Sequence, residues 1–182
     1  MKKRLFIAIP IPEEIKNEII LYKKEKKLKK LNLKWQAREN LHITILFLGW
    51  QDENKIDSII SAIQKSLFGF KPFLIELNLI CLGPKRENPR LIWIQGRKNL
   101  EIENLRNKLI RNLENQNIFF QKEKRPFQIH ITIARARGRE LYGVFFQKEI
   151  FIPFSAQKIV LFESILKKTG AEYKIIKSFI LN

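Results

Sequence analysis

Histidine and cysteine are almost missing from this chain. Its 182 residues include two histidines and one cysteine. A lone cysteine closes no internal disulfide and builds no cysteine-rich zinc site. Two histidines and one cysteine also leave few nitrogen and sulfur ligands for a transition metal, so no metal and no cofactor are expected. Acid is scarce as well: 18 Asp and Glu stand against 35 Lys and Arg, for a net charge of +17. Long apolar runs are absent. The longest, around Ile45–Trp50, has the length of a strand and falls far short of the ~20 residues of a membrane span. Met-Lys-Lys-Arg at the start is followed only by Leu5–Ile9, then Pro10 and Pro12. A secretory signal needs an apolar core of about 7–15 residues. These absences point to a cytoplasmic protein without a membrane segment, in which Cys81, inside the apolar stretch Leu79–Leu82, serves as a small buried hydrophobe.

Apolar residues are plentiful. They make up 45% of the chain, enough for a core, and the length suits one domain. The basic excess favours a polyanionic partner, nucleic acid first and an anionic membrane second. It needs discounting, however. Lys23, Lys24, Lys26, Lys27, Lys29 and Lys30 share one segment, which reads as a helix starting after Pro12. Glu13 and Glu14 suit its first turn, and Ile15, Ile19, Tyr22, Leu28 and Leu31 form its apolar stripe. Most of the lysines fall off that stripe, on a solvated face.

An internal repeat organises the sequence. Arg4–Ile9 reads as a strand, a helix follows, then the extended Leu33-Lys34-Trp35, then Glu39–Leu46. In the second half Leu91–Gln95 reads as a strand. A helix of about Leu100–Leu113 follows, then Ile118-Phe119-Phe120 and Phe127–Ala134. A further helix near Asp52–Leu67 and a strand at Phe73–Leu82 complete the first half. Residues 138–154 read as irregular, and Ile159–Leu166 and Tyr173–Leu181 as strands. Gly83–Pro89 connects the halves and is too short for a domain linker. The expected fold is α+β: a single bilobal pseudo-symmetric domain over 1–182, with two antiparallel sheets flanked by helices around a central groove.

Each half carries His-Ile-Thr-Ile, at 42–45 and at 130–133, close to half a chain length apart. In a strand, side chains alternate faces, so His42 and Thr44 share one face and Ile43 and Ile45 the other. The same holds for His130 and Thr132. If the lobes face each other, two imidazoles and two hydroxyls converge. That set suits metal-free phosphoryl chemistry. One neutral ring accepts a proton from the attacking oxygen, and one imidazolium gives a proton to the leaving oxygen. The hydroxyls hold non-bridging phosphate oxygens. A single His-x-Thr on a strand is ordinarily just a satisfied polar pair. Here the pattern occurs twice at matched places and uses every histidine. A two-histidine metal site would need a carboxylate, and neither motif supplies one on the histidine face.

The doubled motif, in its flanking sequence, resembles the two-histidine phosphoesterases, and specifically the RNA 2′,3′-cyclic phosphodiesterases, formerly called 2′-5′ RNA ligases. The similarity covers nearly the whole chain: Arg4–Ile9, Arg38–Gly49, Arg125–Arg135, Leu161–Ser164 and Tyr173. It implies the same bilobal fold, with His42 as proton donor and His130 as proton acceptor, although the repeat itself makes the two histidines nearly equivalent. It also implies Thr44, Thr132 and Arg135 as phosphate-binding residues. Strict alternation puts Arg135 opposite His130, so that role needs a bulge or strand end to turn it inward. The family often has a basic residue where Leu46 stands, and this chain departs from that. Phe6, Trp35 and Trp93 are candidates for stacking a terminal base, with core packing the competing role for Phe6 and Trp93.

The expected activity is hydrolysis of an RNA terminal 2′,3′-cyclic phosphate to a 2′-phosphomonoester, with reversible 2′-5′ ligation as a secondary reaction. The expected partner is RNA bearing that end. No membrane and no obligate protein partner are expected, and the chain is expected to be a monomer. Two rival readings are a non-catalytic RNA-end-binding module, and a membrane-surface protein using the lysine-rich helix.

Overall fold

The structure is a computed structural model, and it describes residues 1–84, 87–123, 125–139, 141–167 and 170–182. Two residues of the expected connecting loop, Lys85 and Arg86, lie outside that set, as does the side chain of Lys26. Nine strands form two antiparallel sheets. One sheet has the order β3 (His42–Asp52), β1 (Lys2–Pro10), β8 (Lys158–Lys167), β9 (Gly170–Ile180). The other has the order β2 (Leu33–Trp35), β6 (His130–Ala136), β5 (Leu91–Gly96), β4 (Phe73–Gly83), β7 (Gln147–Ala156). The α+β class and the two antiparallel sheets agree with the sequence reading.

The halves are not laid side by side. β4 belongs to the first half of the chain yet pairs with β5 of the second, and β8 of the second half pairs with β1 of the first. β2 likewise crosses to β6, with Trp35 opposite Ala134. Each sheet therefore has a central strand borrowed from the other half.

Helices α1 (Glu13–Leu21), α2 (Lys26–Lys29), α3 (Ile56–Leu67) and α4 (Leu100–Asn115) cover the sheets. α4 begins where the Asn99 side chain accepts a hydrogen bond from the Ile102 N–H at 2.9 Å, an N-cap. Its stripe Ile102, Leu105, Leu109, Leu113 is fully buried and joins Ile59 and Ile63 of α3 in one core. That core also holds Ile7, Ile43, Ile80, Ile94, Ile131 and Leu161, from both sheets. A second, smaller cluster (Phe6, Ala8, Val160, Phe162, with Tyr173 beside it) lies on the other face of the first sheet.

Three expectations need correction. The basic segment is not one helix. It breaks at Glu25, which is extended (φ −57°, ψ 125°) between a short 3-10 turn and α2. Like charges four residues apart, Lys23 with Lys27 and Lys26 with Lys30, weaken a continuous helix. Lys148 pins the break by pairing with Glu25 and lying over the Tyr22 ring. Residues 147–156 form β7 rather than irregular chain, because β4 offers them an edge. Cys81 is half-buried rather than buried, because β4 turns Ile80 and not Cys81 to the core. Among the described residues no helix is long and apolar enough to cross a membrane.

Candidate active site

Both motifs begin a strand, β3 and β6, and both strands carry a bulge at the same place. On β3, Ala8 faces Thr44 but Ile7 faces Leu46, so Ile45 is the extra residue. On β6, Trp93 faces Thr132 but Ile92 faces Ala134, so Ile133 is extra. A bulge advances the alternation by one residue. Ile45 and Leu46 are consequently both buried, as are Ile133 and Ala134, and the next residue returns to the histidine face. On β6 that residue is Arg135, and on β3 it is Phe47. Both line a groove of about 800 Å³ together with Thr44, His130 and Thr132. Leu46, at the position where the family often has a basic residue, is only 4% exposed. Phe47 occupies the counterpart of the arginine.

The two imidazoles are anchored alike. His42 Nδ1 lies 2.8 Å from the Asn40 carbonyl and His130 Nδ1 lies 2.9 Å from the Gln128 carbonyl. A carbonyl only accepts, so each Nδ1 carries its proton and donates it, and each Nε2 is left as the proton-exchanging atom. His42 Nε2 meets Thr44 Oγ1 at 3.0 Å. Thr44 lines the groove, and His42 reaches it through that hydroxyl contact.

Their surroundings differ. His42 rests on the smaller apolar cluster, with ring centroids 4.9 Å from Phe6 and 5.2 Å from Tyr173, the latter edge-on. Burial there disfavours the charged form and pushes its pKa down to about 4. The Asn40 carbonyl pulls it back up, and the charges at His130 and Arg135 push it further down. His130 stacks on Trp93 at 4.1 Å and 28°. Burial lowers its pKa too, against the Gln128 carbonyl. The indole has room because residue 83 is glycine: a Cβ there would sit 2.6 Å from two of its ring carbons. β3 and β6 lie against each other, so the two halves of the repeat bring their histidines into one electrostatic field.

The structure thus gathers His42, Thr44, His130, Thr132 and Arg135. It agrees with the packing role for Phe6 and Trp93 rather than the stacking one. Phe6 and Trp93 are 2% and 7% exposed and serve as floors under the histidines, while Trp35 carries the Lys23 ammonium at 6.0 Å. Sequence reasoning missed Phe47 and Arg125 on the groove wall and Tyr173 as an edge-on neighbour of His42. Phe47 could have been found by carrying the bulge needed for Arg135 over to the first motif. Among the described residues no three His, Cys, Asp or Glu side chains cluster as a metal site.

Comparison with known proteins bears on the family and the fold. The family model of the LigT-like phosphoesterases matches residues 9–93. The chain is 34% identical to the RNA 2′,3′-cyclic phosphodiesterase of Methanocaldococcus jannaschii, over 97% of this chain and 99% of that protein. It is 30% identical to the one from Thermotoga maritima, over 95% and 92%. Among solved structures, a Thermus thermophilus protein superposes with a TM-score of 0.82 at 23% identity, covering 98% of this chain and 97% of that one. E. coli LigT complexed with 3′-AMP superposes at 0.78 and 23%, covering 100% and 99%.

Proposed function

Because this chain belongs to the LigT-like phosphoesterases, the family of the RNA 2′,3′-cyclic phosphodiesterases, we propose that it opens 2′,3′-cyclic phosphates at RNA ends by metal-independent acid–base catalysis. His130 Nε2 takes a proton from water as the water oxygen bonds to phosphorus. The bond from phosphorus to O3′ breaks, and His42 delivers a proton to O3′, leaving a 2′-phosphomonoester. Thr44, Thr132 and Arg135 hold the non-bridging oxygens, where charge builds up in the transition state. The reverse reaction, with an RNA 5′-hydroxyl in place of water, makes a 2′-5′ linkage. In this reading residues 1–182 act as one domain, a monomer in the cytoplasm with no membrane role.

The observation that carries the reading is the matched pair of imidazoles. Each is fixed at Nδ1 by a carbonyl two residues upstream, which leaves Nε2 for proton exchange, at His42 beside the Thr44 hydroxyl. A neutral imidazole cannot act as an acid, and His42 is neutral at pH 7 in the ligand-free protein. An anionic phosphate in the groove raises its pKa by direct attraction, so the proton is taken up as substrate binds.

The test is incubation with an oligonucleotide ending in a 2′,3′-cyclic phosphate, in buffer and in EDTA, followed by identification of the hydroxyl that keeps the phosphate. The expected product is the 2′-phosphate in both conditions. His42→Ala and His130→Ala should each lower turnover by about 10²–10⁴-fold. Full activity in either variant, or loss of activity in EDTA, contradicts the mechanism.

A further inference from the structure

A second chamber of about 480 Å³ adjoins the catalytic groove, and Phe47, Gln121, Glu123 and Arg125 belong to the walls of both. The smaller chamber contains none of the four motif residues. Its other walls include Arg4, Ser164 and Tyr173. Its size falls within the range of small-ligand sites.

Two features define what this chamber takes. The first is charge. Arg4, Lys122 and Arg125 face one carboxylate, Glu123, and Lys122 is engaged with Glu114. Arg4 gives one N–H to Ser164 Oγ at 3.3 Å. Among the described residues no carboxylate pairs with it, so most of its guanidinium fork remains for an oxyanion. The second is the Phe47 ring. It is 49% exposed, is backed by Phe6 at a centroid distance of 6.0 Å, and stands at the partition between the chambers. A supported ring with a free surface is a stacking platform for any base. An arginine fork and an aromatic platform in one cleft match a phosphodiester and the base next to it.

We infer that the chamber walled by Arg4, Phe47, Arg125 and Tyr173 binds the nucleotide that precedes the reacting one, with the linking phosphodiester on Arg4 and the base on Phe47. The inference rests on the proposed cyclic phosphodiesterase activity and adds a substrate class to it. The enzyme selects chains of at least two nucleotides over mononucleotides, by contacts remote from the reacting phosphorus.

The test compares kcat/KM for a 2′,3′-cyclic mononucleotide with that for a dinucleotide ending in the same group, and for the same dinucleotide with a neutral methylphosphonate link. Wild-type enzyme should favour the charged dinucleotide by about tenfold or more. Arg4→Gln should bring that ratio close to the one the methylphosphonate gives in wild type, and should cost nothing further on the methylphosphonate. Phe47→Ala should also lower the ratio, and Phe47→Tyr should restore it, which separates a stacking role from a folding defect. A wild-type ratio near one, or a ratio unmoved in both Arg4→Gln and Phe47→Ala, overturns the subsite while leaving the cyclic phosphodiesterase reading intact. Turnover of none of the three substrates by wild type removes both.

Discussion

The two histidines differ less in sequence than in what lies beneath them, and that difference sets the pH behaviour. Both are held below the ordinary imidazole pKa of 6.5, His42 down to about 4, mainly by burial. Catalysis needs one ring protonated and the other neutral. In the free enzyme the pair carries a single proton only on the acid side of pH 6.5, and substrate binding has to draw that proton to His42, so kcat/KM should peak there and fall as pH rises. In the complex the bound anion raises both pKa values, so the kcat profile should be displaced toward higher pH. Initial rates from pH 4 to 8, at saturating and at low substrate, check this. A kcat/KM that climbs from pH 6 to 8 contradicts it. At this scale the doubled His-x-Thr made the four candidate side chains that the structure brings together readable in the sequence. The indole under His130 was not readable, because its partner depends on which residue of β5 faces Thr132, a register that no local pattern encodes.

The decisive feature among the elements is the pair of bulges. Alternation alone puts Arg135 on the wrong face, and a single extra residue, Ile133, corrects it. Arg135→Ala should therefore raise KM for a cyclic-phosphate oligonucleotide about tenfold or more, the scale of a lost charge-assisted contact. Thermal melting of the variant checks that the fold is kept, and an unchanged KM counts against the contact. Most elements were legible because their periods are strong: Ile102, Leu105, Leu109 and Leu113 define α4, and alternating apolar residues define β4. The basic helix was misread because its period persists through Glu25, while the break is made by lysine repulsion and by Lys148 from a distant strand. β7 was missed for a related reason. It is an edge strand whose first five residues are exposed or half-buried, and its pairing with β4 is long-range.

For the molecule as a whole, the charge of +17 divides between the groove and elsewhere. Lys24, Lys27, Lys29 and Lys30 are exposed and wall neither chamber, whereas Arg4, Arg125 and Arg135 do. Binding that neutralises phosphates releases counterions, so log(kcat/KM) for an oligonucleotide should fall linearly with log salt. Changing the four lysines together to Gln should leave that slope unaltered, measured between 50 and 200 mM salt, about the range over which such effects are large. A markedly shallower slope would place the lysine segment on the RNA path. The bilobal plan was legible from the repeat. The exchange of β4 and β8 was not, since a repeat tells which segments correspond and not which sheet each one joins.

That exchange has a mechanical consequence. A break in the single link between β4 and β5 would leave two pieces, each carrying one of the two histidines and each deprived of an inner strand that the other holds. The pieces would remain clasped by four backbone ladders, β1 to β8, β2 to β6, β4 to β5 and β4 to β7. The spacing of the two imidazoles is thus guarded by hydrogen-bonded strands in both sheets, and opening the cleft by swinging one half away would require stripping all four ladders at once.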